Sequence, residues 1–310
     1  MKRSITIFSP ATIANVGPGF DIMGFAIDQP GDIISLEVIR EQSHRIVNKT
    51  PFDLPLDPEK NAATVSLSAL LNHIASKEKF LVTFLEKIQP GSGIGSSAAS
   101  SAGSVCAANL MLKNPLPRKD LVQFAMLGEQ IASGSAHADN VAPAIMGGFV
   151  VIRSYHPLEL IEISSPPELF CTVVHPEIQL ATKESRRILK GNVPLDVAVT
   201  QSGNVAGLIT GLLRSDYDLI RNSLHDAIAE PARSFLIPGF EKLKEASMTA
   251  GALGSSISGS GPSVFALCKG RKSAETVAKS FSKIFNDMDI PNKVFVSGIN
   301  HEGVHKIEDH

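Results

Sequence analysis

The chain of 310 residues has no tryptophan, only two tyrosines and only three cysteines. Those cysteines, Cys106, Cys171 and Cys268, lie far apart in apolar contexts, which excludes a disulfide framework and leaves no zinc-ligand spacing. They read as buried thiols in a reducing compartment. No run reaches the roughly 18 apolar residues of a membrane span. The start, MKRSITIFSP, holds an apolar stretch of about five residues before Pro10, short of the roughly 7–15 of a signal peptide. Charge of one sign is also missing: 29 Lys and Arg against 31 Asp and Glu give a net charge of −2, no footprint for nucleic acid or an anionic membrane. These absences predict a cytoplasmic protein whose partner is a small molecule, with no nucleic acid and no membrane.

What remains is ordinary globular composition, 43% hydrophobic and 19% charged. The length exceeds a usual single domain, and prolines with a change of pattern around 155–167 predict two domains, 1–160 and 161–310. SITIFSP and DIISLEVIR read as strands, 64–76 as a helix, and FLVTFLEKI as a strand, with helices after it at about 96–112 and 118–133. GGFVVIR, LELIEIS and LFCTVVHP read as strands. TKESRRIL, the long VPLDVAVTQSGNVAGLITGLLR, GFEKLKEASMTA and KSAETVAKSFSKIF read as helices, with strands GALGSSIS, PSVFALC and NKVFVSG among them. Helices and antiparallel-compatible strands in this order predict an α+β fold.

The stretch PGSGIGSSAASSAG (90–103) sits between an apolar strand and an alanine-rich helix, so the glycines open a helix. Unpaired N–H groups and the dipole at a helix N-terminus favour an anion, and glycines let it come close. A Walker A loop is excluded, because the segment has no lysine. Gly93, Gly95 and Ala98 satisfy the loose GxGxx[GA] dinucleotide pattern. The chain then continues as NPLPRKDLVQFAMLGEQ, a proline turn and another helix rather than a strand ending in an acid. The loop predicts a phosphate cradle of neither type.

Three further segments stand with it: PATIANVGPGFDIMG (10–24), GEQIASGSAHADNVAPAIMGG (128–148) and SGSGPS (258–263). In this order the set resembles the small-molecule kinases that include galactokinase, homoserine kinase, mevalonate kinase and phosphomevalonate kinase. ANVGPGFD, HADNVAP, TKESRRIL and EPAR look like the homoserine kinase branch. The resemblance covers nearly the whole chain. It implies an N-terminal domain like domain 2 of ribosomal protein S5, a C-terminal ferredoxin-like α/β sandwich, and ATP bound between them. It further implies phosphorylation of the side-chain hydroxyl of L-homoserine in threonine biosynthesis, a requirement for Mg²⁺, and a homodimer.

Carried onto this chain, the resemblance assigns ATP to Asn61 and to the loop residues Pro90, Gly91, Ser92, Gly93, Ile94, Gly95, Ser96, Ser97, Ala98, Ala99 and Ser100. Glu129 and the Ser97 hydroxyl become the Mg²⁺ ligands, suited to an ion that takes one or two carboxylates plus phosphates and water. Homoserine presents an ammonium, a carboxylate and a hydroxyl. Asp21 with Asn15 suits the ammonium and the hydroxyl, His137 and Asn140 share one face if that segment is helical, and Arg186 and Arg233 match the carboxylate. Asn15, Asp21 and Asn140 are the candidate catalytic residues. Asn140 stands eleven residues beyond Glu129, where the sugar and mevalonate branches carry an aspartate base. An amide takes no proton near neutral pH. Catalysis by alignment is therefore expected, with Asp139 open as the alternative base. SGSGPS is expected to fold back onto the nucleotide loop.

Two other classes compete on residues alone. An amidase-type serine nucleophile needs a partnered lysine, and Lys79 and Lys87 lie in strand-like sequence without a matching motif. A non-catalytic nucleotide-binding protein on the same fold is the other.

Overall fold

The computed structural model describes residues 3–178, 180, 185, 187–189 and 191–307. Half of the helix expected over TKESRRIL, Arg186 included, falls outside the described residues.

Two sheets organise the chain. The first has the order β11-β1-β2-β4-β3, and β5 and β6 continue it from the other half of β2. Its strands are β1 (Ser4–Ala14), β2 (Met23–Ile39), β3 (Arg45–Asn48), β4 (Lys79–Glu86), β5 (Phe149–Tyr155), β6 (Leu158–Ile163) and β11 (His305–Lys306). β3 runs parallel to β4, and the other pairs are antiparallel. β2 is long enough to serve both halves: Ile33 to Ile39 pair with β4 and Met23 to Phe25 with β5. The C-terminal β11 thus returns to the sheet begun by β1.

Helices α1 (Ala62–His73), α2 (Ser96–Leu110) and α3 (Arg118–Ser133) cover one face of this sheet. Phe80, Phe84, Ile34, Leu67, Leu70 and Val105 fill the layer between. The alanines, serines and glycine of α2 are explained by its place: from Ala98 to Asn109 every residue is buried, so the helix has no solvent face. A Cβ on Gly103 would come within 2.9 Å of Ile7 and 3.0 Å of Ile34. Small residues let the helix lie on the sheet while other helices pack on its back.

The second sheet has the order β10-β7-β9-β8, antiparallel throughout, from β7 (Leu169–Pro176), β8 (Ala252–Ile257), β9 (Val264–Lys269) and β10 (Asn292–Gly298). Helix α5 (Leu195–Arg214) precedes the short α6 (Tyr217–Ser223) and α7 (Glu230–Arg233), and α8 (Phe240–Thr249) and α9 (Arg271–Asn286) complete the set. Phe240, Leu243, Val277, Phe281 and Phe285 of α8 and α9 pack on one face of the sheet. The other face meets the first sheet in a shared core. There Phe25 stacks on Phe149 with centroids 4.5 Å apart and meets Phe265 edge-on at 6.1 Å. This apolar contact joins the two sheets.

His44 gives a test of this packing. It is buried, its Nδ1 accepts from the Phe80 N–H at 3.1 Å, and burial with the nearby Lys79 charge pushes its pKa down from 6.5 to about 4. The folded state therefore prefers neutral imidazole, and protonation on acidification favours unfolding. Its contribution is complete above pH 6.5 and is lost as the pH falls toward 4. Denaturant midpoints measured across that window should fall more steeply for wild type than for His44→Asn, whose amide oxygen takes the place of Nδ1 toward Phe80 without titrating. Parallel profiles would remove His44 from the account.

Candidate active site

A cleft of about 440 Å³ opens between the sheets. Its walls include Asn15, Asp21, Asn61, Glu129, His137, Asn140 and Arg233, together with Pro90, Gly91, Gly93, Gly95, Ser96, Ser97 and Ser100 of the glycine loop. The remaining loop residues turn inward. Ser92, Ile94, Ala98 and Ala99 have buried side chains, with Ile94 and Ala99 in the core shared by the sheets.

The loop delivers the chain to α2 through Gly95, whose φ of +72° is left-handed. The Ala99 N–H closes the first helical bond onto the Gly95 carbonyl at 2.8 Å. The amides of Ser96, Ser97 and Ala98 precede that bond and have no intrahelical acceptor, which is the anion-binding geometry of a helix start. A Cβ on Gly95 would lie 2.0 Å from Thr12 Oγ1 and 3.1 Å from Asn140 Oδ1. Thr12 Oγ1 donates to that same Asn140 oxygen at 2.8 Å. Gly95→Ala should therefore lower stability by about 1–2 kcal/mol from the left-handed backbone alone, with the overlap adding to it. Turnover should fall at least tenfold as Asn140 is pushed from its place. Adding Thr12→Ala should recover part of the thermal stability; a Gly95→Ala protein with wild-type melting and turnover would show that the contact is not tight.

Ser97 donates to Glu129 Oε2 at 2.7 Å. Glu129 projects from α3, one helix away from Ser97 on α2, and is buried. Ser96 differs from expectation. Its hydroxyl, read as a phosphate donor, donates instead to the Ile88 carbonyl at 2.8 Å and accepts from Lys87 Nζ at 2.6 Å. Lys87 also donates to the Ser96 carbonyl at 2.6 Å and pairs with Asp32 Oδ2 at 3.0 Å. Asp32 in turn accepts from the Ile88 N–H at 2.8 Å and from Ser100 Oγ at 2.8 Å.

Burial pushes the Asp32 carboxyl up and the Lys87 ammonium down, while the charge of each opposes the shift of the other and Glu129 adds its attraction for Lys87. A buried ammonium needs several acceptors, and this one takes Ser96, the first residue of α2, as a strut. Lys87 and Asp32 were not among the residues assigned from sequence. The only signal was a lysine at the end of an apolar strand, directly ahead of the loop. A serine–lysine pair thus exists, but the Ser96 proton is held by a carbonyl and Lys87 by a carboxylate, an arrangement that fixes a loop rather than arms a nucleophile.

Elsewhere in the lining the ANVGPGFD turn carries three non-glycine residues at positive φ: Asn15 at 71°, Val16 at 47° and Asp21 at 57°. Such a conformation costs free energy and persists where surrounding contacts enforce it. Asn15 Oδ1 accepts from the Asp21 N–H at 3.1 Å, and its Nδ2 donates to the Gly259 carbonyl at 2.9 Å. Tyr155 Oη donates to the Asp21 carbonyl at 2.7 Å. From behind, buried Gln201 of α5 donates to the Pro18 carbonyl at 2.7 Å. The Asp21 carboxylate lies 3.5 Å from His137 Nδ1.

His137 and Asn140 do not share a helical face. The segment before α4 (Val141–Met146) is irregular, with Asn140 at the cap position, and both residues reach the cleft from a turn. Asp139 is buried and also lines the cleft. Asn61 caps α1, its Oδ1 accepting from the Ala63 N–H at 3.0 Å, while its Nδ2 donates to the Pro55 carbonyl at 2.8 Å.

SGSGPS does meet the glycine loop: Ser258 Oγ donates to the Gly93 carbonyl at 2.7 Å and Ser263 Oγ to the Ser92 carbonyl at 2.6 Å. Arg233 is buried beside it. Its Nε donates to the Ser185 carbonyl at 3.0 Å, a second nitrogen to the Gly259 carbonyl at 3.1 Å, and the guanidinium lies 5.3 Å from the centre of the Phe20 ring. Arg186 lies outside the described residues.

This fold and cleft match a known group. The profile of the GHMP kinases N-terminal domain matches residues 61–148 and that of the GHMP kinases C-terminal domain residues 208–287. The chain belongs to the GHMP kinase family. Within it the chain stands with the homoserine kinases: it is 45% identical to the homoserine kinase of Chlorobium phaeobacteroides, over 97% of this chain and 98% of that one. The homoserine kinase of Chloroherpeton thalassium is 42% identical over the same shares. The crystal structure of homoserine kinase from Cytophaga hutchinsonii superposes with a TM-score of 0.95 at 46% identity, covering 99% of this chain and 98% of that one. Mevalonate kinase from L. major, at 15% identity and a TM-score of 0.72, shares the fold.

Proposed function

We propose that the cleft transfers the γ-phosphoryl group of ATP to the side-chain hydroxyl of L-homoserine, giving O-phospho-L-homoserine, the step used in threonine biosynthesis. The observation that carries this reading is the convergence in one cleft of a helix-start phosphate cradle with Asp21, Asn15 and Arg233. The cradle suits a triphosphate, and the other three offer an acid, an amide and a guanidinium to an amino acid. The strand order β10-β7-β9-β8, with helices after β7 and β9, supports a ferredoxin-like C-terminal domain over 161–310 apart from the end of β6 and β11. We read 1–160 as the domain like domain 2 of ribosomal protein S5.

In this reading Asp21 faces the homoserine ammonium, Arg233 its carboxylate, and Asn15 and Asn140 aim the hydroxyl. His137, 3.5 Å from the Asp21 carboxylate, joins the homoserine pocket. The amides of the α2 start and the glycine loop hold the phosphates, and Asn61 faces adenine. The Ser97–Glu129 oxygens fit Mg²⁺: their 2.7 Å separation is near the spacing of adjacent ligands in an octahedron with ligands at about 2.0–2.1 Å. Bound Mg²⁺ would neutralise charge on the phosphoryl oxygens. Phosphoryl transfer through a loose transition state asks for positioning and charge balance, so an amide at 140 is compatible with catalysis by alignment. Asp139 is then not the base.

Release of ADP with homoserine, mevalonate and galactose as acceptors tests the substrate assignment, and best efficiency with mevalonate would overturn it. In the same assay Asp139→Asn should keep most of its turnover. A loss of the 10²–10⁴-fold that accompanies removal of a general base, with both substrates still bound, would make Asp139 the proton acceptor instead. Among the described residues no helix is long and apolar enough to cross a membrane. The buried thiols Cys106, Cys171 and Cys268 support the expected cytoplasmic setting, and a homodimer is the assembly we infer.

A further inference from the structure

Helix α5 has two faces, and phosphoryl transfer uses only one. Gln201, Leu208, Gly211 and Leu212 are buried toward the body of the protein. Leu195, Val199, Ser202, Ala206 and Leu213 face outward, with Leu195 80%, Val199 64% and Leu213 53% exposed. These five recur at intervals of 4, 3, 4 and 7 residues, the spacing of a seam that packs along another helix. A solvent face of a helix is ordinarily charged, yet no Asp, Glu, Lys or Arg occurs from Val197 to Leu213.

The charges stand at the two ends. Asp196 and Arg214 are 18 residues apart, about five turns, so they project from the same flank of the seam. An antiparallel pair of identical helices brings like flanks together. With a two-fold axis near residue 204, Leu195 would meet Leu213 of the second copy, Ser202 would meet Ala206, and Asp196 would meet Arg214 at both ends. The small side chains fall at the centre, where the helices come closest, and the large ones at the ends. A two-fold interface requires this self-complementarity.

We propose that α5 is the seam of a homodimer, packed antiparallel against α5 of a second copy with reciprocal Asp196–Arg214 pairs. The proposal rests on the homodimer reading and adds its face and register. Sedimentation of the full chain over a dilution series tests it, with circular dichroism and kinase turnover as checks of folding. Val199→Glu and Ala206→Glu should each raise the dimer dissociation constant roughly 100-fold or more, since each places two unpaired charges in the seam. Asp196→Arg alone and Arg214→Asp alone should each weaken self-association about tenfold by setting like charges face to face. An equimolar mixture of those two variants should recover wild-type affinity as a heterodimer, because each end then pairs opposite charges. A wild type that stays monomeric overturns the dimer itself. A dimer indifferent to both glutamates overturns the face, and a mixture no tighter than its separate components overturns the antiparallel register.

Discussion

Glu129→Gln loses turnover by on the order of 10²- to 10³-fold while remaining folded, because a metal-stabilised phosphoryl transfer loses several kcal/mol when the ion loses its protein charge. The substitution is nearly isosteric, and the amide can still meet the Ser97 hydroxyl that now donates to Oε2 at 2.7 Å. Packing around α3 is therefore conserved. On the proposed reading, what changes is the affinity of the Ser97–Glu129 oxygens for a divalent cation. Raising Mg²⁺ should recover part of the rate in the variant and little in wild type, and calorimetric binding of ADP should lose its dependence on Mg²⁺. A second effect is smaller: Lys87 feels the Glu129 charge, so its buried ammonium is held less strongly in the variant. Near-wild-type turnover of Glu129→Gln at ordinary Mg²⁺ would remove Glu129 from the metal site.

Arg233→Ala raises the homoserine Michaelis constant on the order of 10²- to 10³-fold and leaves that for ATP within a few fold, as truncating one partner of a buried charge pair costs several kcal/mol. The guanidinium is rigid before substrate arrives. Backbone carbonyls of Ser185 and Gly259 hold it, and the Phe20 ring lies against it. A fork held in this way loses little freedom on gripping a carboxylate. The same contacts supply the competing explanation, because removal of Arg233 also loosens Gly259, which receives the Asn15 amide. Arg233→Lys separates the two. It keeps the charge but not the paired donors, so it should recover little homoserine affinity if the guanidinium reads the carboxylate. If Arg233→Ala weakens ATP and homoserine alike, the residue is a brace for the 258–263 loop. The preference for homoserine over mevalonate should also shrink, since mevalonate offers a carboxylate but no ammonium to Asp21.

Several elements were legible to the residue. Helix α3 and strands β7 and β10 match the stretches read as 118–133, 169–176 and 292–298, because Pro117 and Gly134 bracket the helix and valines with aromatic neighbours mark the strands. Others shifted. Helix α1 begins at Ala62 rather than 64, because Asn61 caps it, and α2 stops at Leu110 rather than 112. Strands β3 and β11 and helices α4, α6 and α7 were not read at all. Each is short, and a few residues carry too little periodicity to be told from a loop. In the site, Ser97 and Glu129, paired by resemblance, lie within hydrogen-bond distance of each other. The helical face expected for His137 and Asn140 was not there, because the chain becomes helical only at Val141.

The sequence by itself determined the local events: glycines opening α2, an anion-receptive helix start without a Walker lysine, thiols without partners, and a set of motifs whose order marks a family. These depend on a few neighbouring residues and on backbone freedom, so they survive without knowledge of the rest. Only the tertiary structure decided what each polar group does. Ser96 serves the loop because Lys87 is buried beside it and must be satisfied, and Lys87 is there because β4 pairs with β2 and brings Asp32 within 3.0 Å. Arg233 is aimed by carbonyls from two other segments, and Asp21 by an amide and a phenol 6 and 134 residues away. Removing such groups from water costs several kcal/mol, and that cost is met by whichever partners the packing of distant strands and helices brings near. No local pattern encodes those distances.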